Sequence, residues 1–245
     1  MLIVFLLFFV LVTVFIVYGV LPTVLMRTFS LGLFNRSHVK GKVALTFDDG
    51  PHPEYTPKLL DLLKKYEAKA TFFIVGEFAE NHPEILKRMD REGHLIGIHH
   101  YRHVSNWLIS PFRTRRECKK TAEVIERIIG KRPSYYRPPW GHLHLFIPWS
   151  RGAYRLVIWS DILGDWNRKL GKERLENRLR HAARDGAIIV LHDSDQTPGA
   201  DKGAPLNMLW AVDRFLTEFY HRYEFVTIDV LYESEQERLK SQVQK

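Results

Sequence analysis

The sequence predicts an α/β domain built on a mostly parallel sheet and preceded by one apolar N-terminal helix. Short apolar or β-branched runs alternate with amphipathic helical stretches between about residues 43 and 228. This alternation is typical of βαβ units with parallel strands. Residues 1–26 contain no charged side chain. Several apolar runs end in Asp, His or Arg, and functional groups of such folds lie at the carboxyl ends of the strands.

The N-terminal segment is long enough to cross about 30 Å of hydrocarbon at roughly 1.5 Å per residue. A cleaved signal peptide is the competing interpretation, but the basic region before the apolar run and an A-x-A-like cleavage site after it are both missing. No polar face interrupts the run, which argues against a buried core helix. We therefore expect an uncleaved transmembrane anchor in residues 1–26 and a linker in residues 27–41.

Seven runs in the remaining chain are predicted to be strands, with helices between most of them because the intervening apolar residues recur at helical spacing. About seven such units in roughly 200 residues favour a small, incomplete barrel, although an open doubly wound sheet would give the same pattern. We expect this domain in residues 42–232 and a polar tail in residues 233–245. The predicted strands are VALTF from Val43, TFFIV from Thr71, HLIGI from His94, YYR from Tyr135, RLVIW from Arg155, AIIVL from Ala187 and FVTI from Phe225.

The composition excludes several classes of protein. Hydrophobic residues make up 45% and charged residues 26% of the 245 residues, which excludes disorder, collagen and coiled coil as the main state. The single cysteine, Cys118, excludes an internal disulfide framework and a Cys-rich metal site. The net charge of +8 favours negatively charged partners, but no nucleic-acid motif accompanies the basic clusters. We therefore expect no nucleic-acid partner, and we predict no protein partner.

The first predicted strand ends in Asp48 and Asp49, which Gly50 and Pro51 follow. Two carboxylates directly after an apolar strand are costly to desolvate unless they are used. A turn explains Gly50 and Pro51, but it does not explain the second aspartate. Because strict alternation would point the two aspartates to opposite faces, both can serve one site only if the strand ends here.

The third predicted strand runs into His99 and His103, whose spacing is ordinary for a metal site. The pair alone is a weak signal. Together with an aspartate from a neighbouring strand end, it would form a two-His, one-carboxylate site that leaves coordination positions open for water and substrate.

The later strand ends add arginine, tryptophan and histidine. Arg137 would hold one aspartate ionised, or it belongs only to a rigid proline turn. Trp159 and Trp166 suit stacking on a sugar ring, and core packing explains each of them equally well. A lone histidine such as His192 after a buried strand is usually structural, but here it would face the same rim as the other groups.

The strand ends described above contain five motifs. Their types and their order along the chain resemble those of the carbohydrate esterase family 4 polysaccharide deacetylases, the NodB-homology domain, over about residues 42–228. The resemblance implies a distorted seven-stranded (β/α) barrel, a divalent metal that is usually zinc, and hydrolysis of N-acetyl groups on amino-sugar polymers with release of acetate. The motifs are TFDDG from Thr46, HxxxH from His99, RPPWG from Arg137, DW from Asp165 and HD from His192.

The resemblance also implies roles for single residues. Asp48 resembles the catalytic base, Arg137 the residue that holds it, and His192 the catalytic acid, which Asp165 tunes. The implied substrate groove contains Pro139, Trp140 and Trp166. The implied metal ligands are Asp49, His99 and His103.

Four positions depart from the family pattern. His100 stands where Ser or Thr usually follows the first histidine ligand, so it either fixes the ligand loop differently or competes for the metal. Trp140 replaces Tyr or Phe, and Ile162 replaces a common Asp, with Asp161 one position away. Val190 replaces Leu, a mild change. None of these removes a ligand, the base or the acid, so they affect substrate choice more than chemistry.

Three functions remain open at this stage. The first is a membrane-anchored N-deacetylase of cell-envelope glycan such as peptidoglycan or a chitin-like polymer. The second is a glycan-binding pseudoenzyme, and the third is a deacetylase of a small or lipid-linked amino sugar. Basic residues after the anchor, including Arg27 and Arg36, would by the positive-inside rule keep the domain in the cytoplasm. Polymeric substrate lies outside the cell, so we expect a single-pass cell-membrane protein with an extracytoplasmic catalytic domain.

Overall fold

A computed structural model describes residues 1–243 of the chain. All strand pairs between the named strands are parallel. The strands are β1 (Lys42–Asp48), β2 (Ala70–Ile74), β3 (Leu95–Ile98), β4 (Tyr135–Tyr136), β5 (Arg155–Leu156), β6 (Asp161–Ile162), β7 (Ile188–His192) and β8 (Glu224–Phe225).

These strands form one sheet in the order β5-β4-β3-β2-β1-β7-β6, and β8 pairs with the start of β1. Within the described residues β5 and β6 do not pair with each other, so the curled sheet stays open there. The predicted distorted barrel of parallel strands is confirmed. The structure adds the two-residue strand β6, which is not among the seven predicted strands.

The central strand β1 determines where the polar strand ends meet. Its register pairs Asp48 with Phe73 of β2 on one side and with His192 of β7 on the other. Residues 43–48 and all of β2 are buried, because helices cover the sheet with apolar side chains such as Leu59. Each such side chain contributes roughly 1.5–3 kcal/mol when it is fully buried.

The helices are α1 (Leu2–Phe15), α2 (Leu21–Phe29), α3 (Tyr55–Lys65), α4 (Gly76–Asn81), α5 (Pro83–Arg91), α6 (Pro111–Ile129), α7 (Ile147–Ser150), α8 (Lys172–Ala182), α9 (Ala204–Phe219) and α10 (Ile228–Val243). The helix α6 ends at a glycine: Gly130 has a φ of 72°, in the left-handed region that glycine adopts without strain.

The N-terminal helix is one continuous element of 28 residues, Leu2–Phe29, with a π-helical turn at Ile16–Val20 between α1 and α2. By length and composition it is the one helix of the described residues that could cross a membrane. No residue of α1 is buried. Gly19 and Thr23 are buried, because this part of the helix packs on the domain.

The segments on either side of the predicted domain make more contacts than expected. Phe34, in the predicted linker, forms a parallel bridge with Val157, and Ser37 donates a hydrogen bond to Glu235 at 3.0 Å. The last predicted strand pairs only at Glu224–Phe225, and the predicted polar tail continues the helix α10 as far as Val243. The domain boundaries themselves remain a prediction.

Candidate functional site

The end of β1 turns both aspartates into one cleft. Asp49 has a φ of 74°, a left-handed conformation that is uncommon for a non-glycine residue. This turn breaks the alternation of the strand, so Asp48 and Asp49 both line the same cleft of about 340 Å³. His100 and Trp140 also have positive φ values, of 67° and 54°. Such strained positions concentrate at functional sites.

Three potential metal ligands meet in this cleft. The ligand atoms of Asp49, His99 and His103 all lie within 4.8 Å of one another. Oδ1 of Asp49 lies 3.2 Å from Nε2 of His99 and 3.1 Å from Nε2 of His103. The other oxygen, Oδ2, accepts a hydrogen bond from the Thr197 hydroxyl at 2.5 Å.

The donor set fits a divalent cation. Oδ1 of Asp49 is buried without a hydrogen-bond partner, although two imidazole nitrogens lie close to it. Nδ1 of His99 lies 2.7 Å from the Arg137 carbonyl, to which it donates, so Nε2 keeps its lone pair for a metal. Two imidazole nitrogens and one carboxylate oxygen are ligands that zinc-like metals prefer.

The charges of the cluster agree with this use. Burial opposes the ionisation of Asp49, but His103, His99 and His192 outweigh it and hold the pKa of Asp49 well below its usual value. Burial lowers the pKa of His103, although Asp49 opposes the shift. An ionised carboxylate and a neutral imidazole are the protonation states that bind a metal.

Asp48 stands beside the cluster in a buried ion pair. Nη1 of Arg137 donates to Oδ1 of Asp48 at 2.8 Å and to the Thr46 hydroxyl at 2.7 Å. The Arg137 side chain is fully buried and lies 4.2 Å from the centre of the Phe73 ring. Burial lowers the pKa of Arg137, and Asp48 opposes that shift. The guanidinium therefore holds the Asp48 carboxylate in one orientation at the edge of the cleft.

A second acid–base pair faces the cleft from β7. Nδ1 of His192 lies 3.0 Å from Oδ1 of Asp165, and Oδ2 of Asp165 accepts the His192 backbone N–H at 2.6 Å. Burial alone would lower the pKa of His192, but Asp165, Asp49 and Asp48 outweigh it and raise the pKa to about 10. This shift favours the protonated imidazole, which can act as a proton donor.

Tryptophans form the walls of the cleft. Trp140 is 40% exposed, and its ring centre lies 4.1 Å from that of His103. Trp166 packs edge-on against the His192 ring at 5.4 Å, and Ile162 adds an apolar wall. Pro139 is buried and does not line the cleft. It instead begins the tight turn that presents Trp140, so the predicted direct contact of Pro139 with substrate does not follow from this geometry.

His100 points away from the metal ligands. Its Nδ1 lies 3.0 Å from the Val104 carbonyl and its Nε2 lies 2.7 Å from the Tyr136 hydroxyl. Of the two alternatives for His100, the geometry therefore favours fixation of the ligand loop over competition for the metal. Asp161 also faces away from the cleft, because it binds Arg184 at 2.8 Å.

The sequence analysis missed several residues of the site. Thr197, His142 and the segment 198–200 line the cleft, and Thr46 supports Arg137. Thr46 stands in the TFDDG motif, so its position carried a signal. Thr197 and His142 lie in irregular loops, where no periodicity or spacing identifies a single side chain.

Comparisons with known proteins agree with this site. Residues 35–145 match the family model described as polysaccharide deacetylase. The chain is 35% identical over 208 residues to a peptidoglycan-N-acetylglucosamine deacetylase of Bacillus cereus, covering 84% of this chain and 73% of that protein. It is 34% identical to the peptidoglycan-N-acetylmuramic acid deacetylase PdaA of Bacillus subtilis, covering 81% and 74%.

A solved structure shares both fold and sequence with the chain. The crystal structure of the Bc1960 peptidoglycan N-acetylglucosamine deacetylase superposes with a TM-score of 0.76 and 32% sequence identity, covering 84% of this chain and 95% of that one. The residues that match the family model, 35–145, include β1, β3 and the strand ends that bring Asp49, His99 and His103 together. On this sequence and structural similarity, the chain belongs to the polysaccharide deacetylase family.

Proposed function

We propose that the chain is a membrane-anchored, metal-dependent N-deacetylase of amino-sugar glycans, with peptidoglycan as its substrate. One observation supports this most: the Asp49, His99 and His103 cluster lies in the same cleft as the Asp48–Arg137 and His192–Asp165 pairs. The relatives named above act on peptidoglycan, as their names state. The metal ligands, the base and the acid, whose loss would make the chain a pseudoenzyme, are all present.

The proposed cofactor is zinc, held by Asp49, His99 and His103. When bound, a zinc ion would supply Lewis-acid polarisation of the amide carbonyl and a water of lowered pKa. The chain also provides a hydrogen-bond donor for the carbonyl oxygen. The backbone N–H groups of Gly141 and His142 donate to carbonyl groups within the turn. The backbone N–H of Trp140 has no such partner among the described residues. We assign the Trp140 N–H to the developing oxyanion.

The two acid–base pairs divide the proton transfers between them. Asp48, oriented by Arg137, takes the proton of the attacking water. His192, kept protonated by Asp165, gives a proton to the leaving amine. The C–N bond of the acetamide breaks, and acetate and a free amine leave. Trp140 and Trp166 provide flat surfaces on which sugar rings can stack.

The proposed organisation places the anchor in residues 1–26, a linker in residues 27–41, the catalytic domain in residues 42–232 and a C-terminal tail in residues 233–245. The helix Leu2–Phe29 supports a single membrane span by its length and composition. Because peptidoglycan lies outside the membrane, we propose that the catalytic domain is extracytoplasmic.

Acetate release tests this function directly. The full chain in detergent would be stripped of metal, reloaded with zinc and incubated with purified peptidoglycan and, separately, a chitooligosaccharide. Zinc-dependent release that Asp48→Asn abolishes is the expected result, with peptidoglycan the better substrate. Zinc binding without release from either substrate would contradict the proposal.

A further inference from the structure

The exposed part of the N-terminal helix is short for a membrane span. Residues 2–17 are all exposed, and at 1.5 Å per residue these 16 residues reach only about 24 Å of the roughly 30 Å of a hydrocarbon core. From Tyr18 onward, the helix forms hydrogen bonds with the domain. A bilayer of full thickness around this helix must therefore extend as far as the junction between the helix and the domain.

That junction is rigid and not a flexible tether. The Tyr18 hydroxyl donates to the Ile109 carbonyl at 2.6 Å, and the Leu145 N–H donates to the Tyr18 carbonyl at 2.8 Å. Thr23 accepts from the Trp107 ring N–H at 2.9 Å. A Cβ at Gly19 would lie 2.8 Å from the Trp107 ring. The position of the helix in a membrane therefore fixes the orientation of the domain.

Around this junction the domain exposes five large apolar side chains, which we call the apolar rim. The rim adjoins the helix, since the ring centres of Tyr18 and Phe146 are 6.5 Å apart. Soluble proteins rarely expose contiguous apolar patches of this kind without a binding role. The members and their exposed fractions are Leu108 (78%), Phe112 (75%), Leu145 (53%), Phe146 (51%) and Trp149 (47%).

Basic side chains border the apolar rim. Arg113, Arg115 and Arg116 are exposed near the start of α6, whose first turn contains no acidic residue. The Arg115 guanidinium lies 5.3 Å from the centre of the Trp149 ring. Aromatic and aliphatic side chains beside arginines are the composition that binds the headgroup region of anionic bilayers.

The apolar rim lies on the catalytic face of the domain. Residues 104–110 follow the carboxyl end of β3, and residues 139–151 follow that of β4. A run of ring contacts links the helix to the cleft. The ring centre of Trp107 lies 5.7 Å from that of Phe15, edge-on, and 3.7 Å from that of His142, which lies 5.8 Å from that of Trp140. The cleft therefore opens close to the junction.

We propose that the catalytic domain lies on an anionic bilayer through the apolar rim, so that the cleft acts on amino sugars held close to the membrane surface. This inference rests on the proposed membrane span. It assigns the rim a lipid partner, and it predicts that glycan attached to or emerging from the membrane is deacetylated faster than glycan in solution.

Depth-dependent quenching in the full chain tests the docking. Cysteines would be introduced singly by Phe146→Cys in the rim, Phe8→Cys in α1 and Tyr220→Cys, each labelled with an environment-sensitive fluorophore. Native Cys118 is buried. Tyr220 is 42% exposed and follows α9, at the amino-end side of the sheet and away from the rim. The protein would be reconstituted in phosphatidylglycerol–phosphatidylcholine vesicles containing lipids spin-labelled at a shallow acyl position.

Quenching at Phe8 and Phe146, with none at Tyr220, is the expected result. Quenching at Phe8 alone would overturn the docking and leave the span in place. No quenching at either site would overturn the span and the docking together, without affecting the acetate test of the active site.

A rate comparison provides an independent test. The double variant Phe112→Ser, Phe146→Ser should release acetate from a soluble chitooligosaccharide at the wild-type rate, because neither side chain lines the cleft. On an N-acetylglucosamine-headed lipid in vesicles it should be several-fold slower than wild type, whereas Tyr220→Ser should not be. Equal rates for the double variant and wild type in vesicles would contradict the proposal.

Discussion

Arg137 and Asp48 form a buried ion pair at 2.8 Å, with side chains 0% and 3% exposed. The pair joins the residue that follows β4 to the last residue of β1, although the two residues are 89 positions apart in the chain. Removal of one partner of a buried ion pair typically lowers the free energy of unfolding by about 3–5 kcal/mol, because the other charge is left buried and uncompensated. The pair therefore both stabilises the sheet and orients the proposed base.

The first prediction concerns Asp48→Asn. Asparagine keeps an oxygen that can accept from Arg137, so the variant should be less stable but should keep the fold and the metal content. The loss of the carboxylate should lower turnover by about 10²–10⁴-fold, the range for removal of a general base. Steady-state acetate release and zinc content would be measured on the same sample. Wild-type turnover in this variant would contradict the assignment of Asp48 as base.

The second prediction concerns metal binding. His103→Ala should lose one of the three ligands and weaken zinc binding by more than about 100-fold, since even residues that only support ligands change affinity by 10–100-fold. Zinc retained after dialysis would be measured by elemental analysis. The matched control is His181→Ala, because His181 is exposed on α8 and outside the cleft. Equal zinc in both variants would place the metal elsewhere.

The sequence predicted the strand ends of the site well, because apolar runs that end in Asp, His or Arg identify both the strand and its functional end. It could not predict β6, because this strand has only two residues, Asp161 and Ile162, which are too few to show a periodic pattern. It took residues 233–245 as a polar tail, and Glu235 in this segment is buried on the same face of α10 as Leu231. The partners of Glu235, such as Ser37, lie almost 200 positions away, and no local pattern shows them.

The orientation of side chains in the site was the second feature that could not be predicted from the sequence. Sequence placed His100 beside the ligands, but its φ of 67° turns the ring toward Tyr136. Similarly, Asp49 shares a cleft with Asp48 only because its own φ is positive. Backbone strain of this kind depends on the packing around the turn, so residue order alone does not show it.

The third prediction concerns His100→Ser, which restores a side chain common in the family. The buried Tyr136 hydroxyl would lose one partner, and the smaller side chain would leave a void. We expect a loss of unfolding free energy of roughly 1–3 kcal/mol. Zinc content should not change, because both ring nitrogens of His100 face away from the cluster. Thermal unfolding and elemental analysis would check this, and loss of zinc without loss of stability would contradict it.

The fourth prediction concerns pH. His192 must be protonated to act as acid, and its pKa is raised to about 10 mainly by Asp165, against the opposing effect of burial. Activity should therefore be lost as the pH rises through this pKa. A cation bound beside Asp49 would lower this pKa by repelling the charged imidazole.

The variant Asp165→Asn removes the main charge that stabilises the protonated His192, so the alkaline limb of kcat should move to lower pH. Asp161→Asn is the control, since Asp161 binds Arg184 outside the cleft. An alkaline limb that stays at the same pH in Asp165→Asn would show that another group, and not His192, supplies the proton.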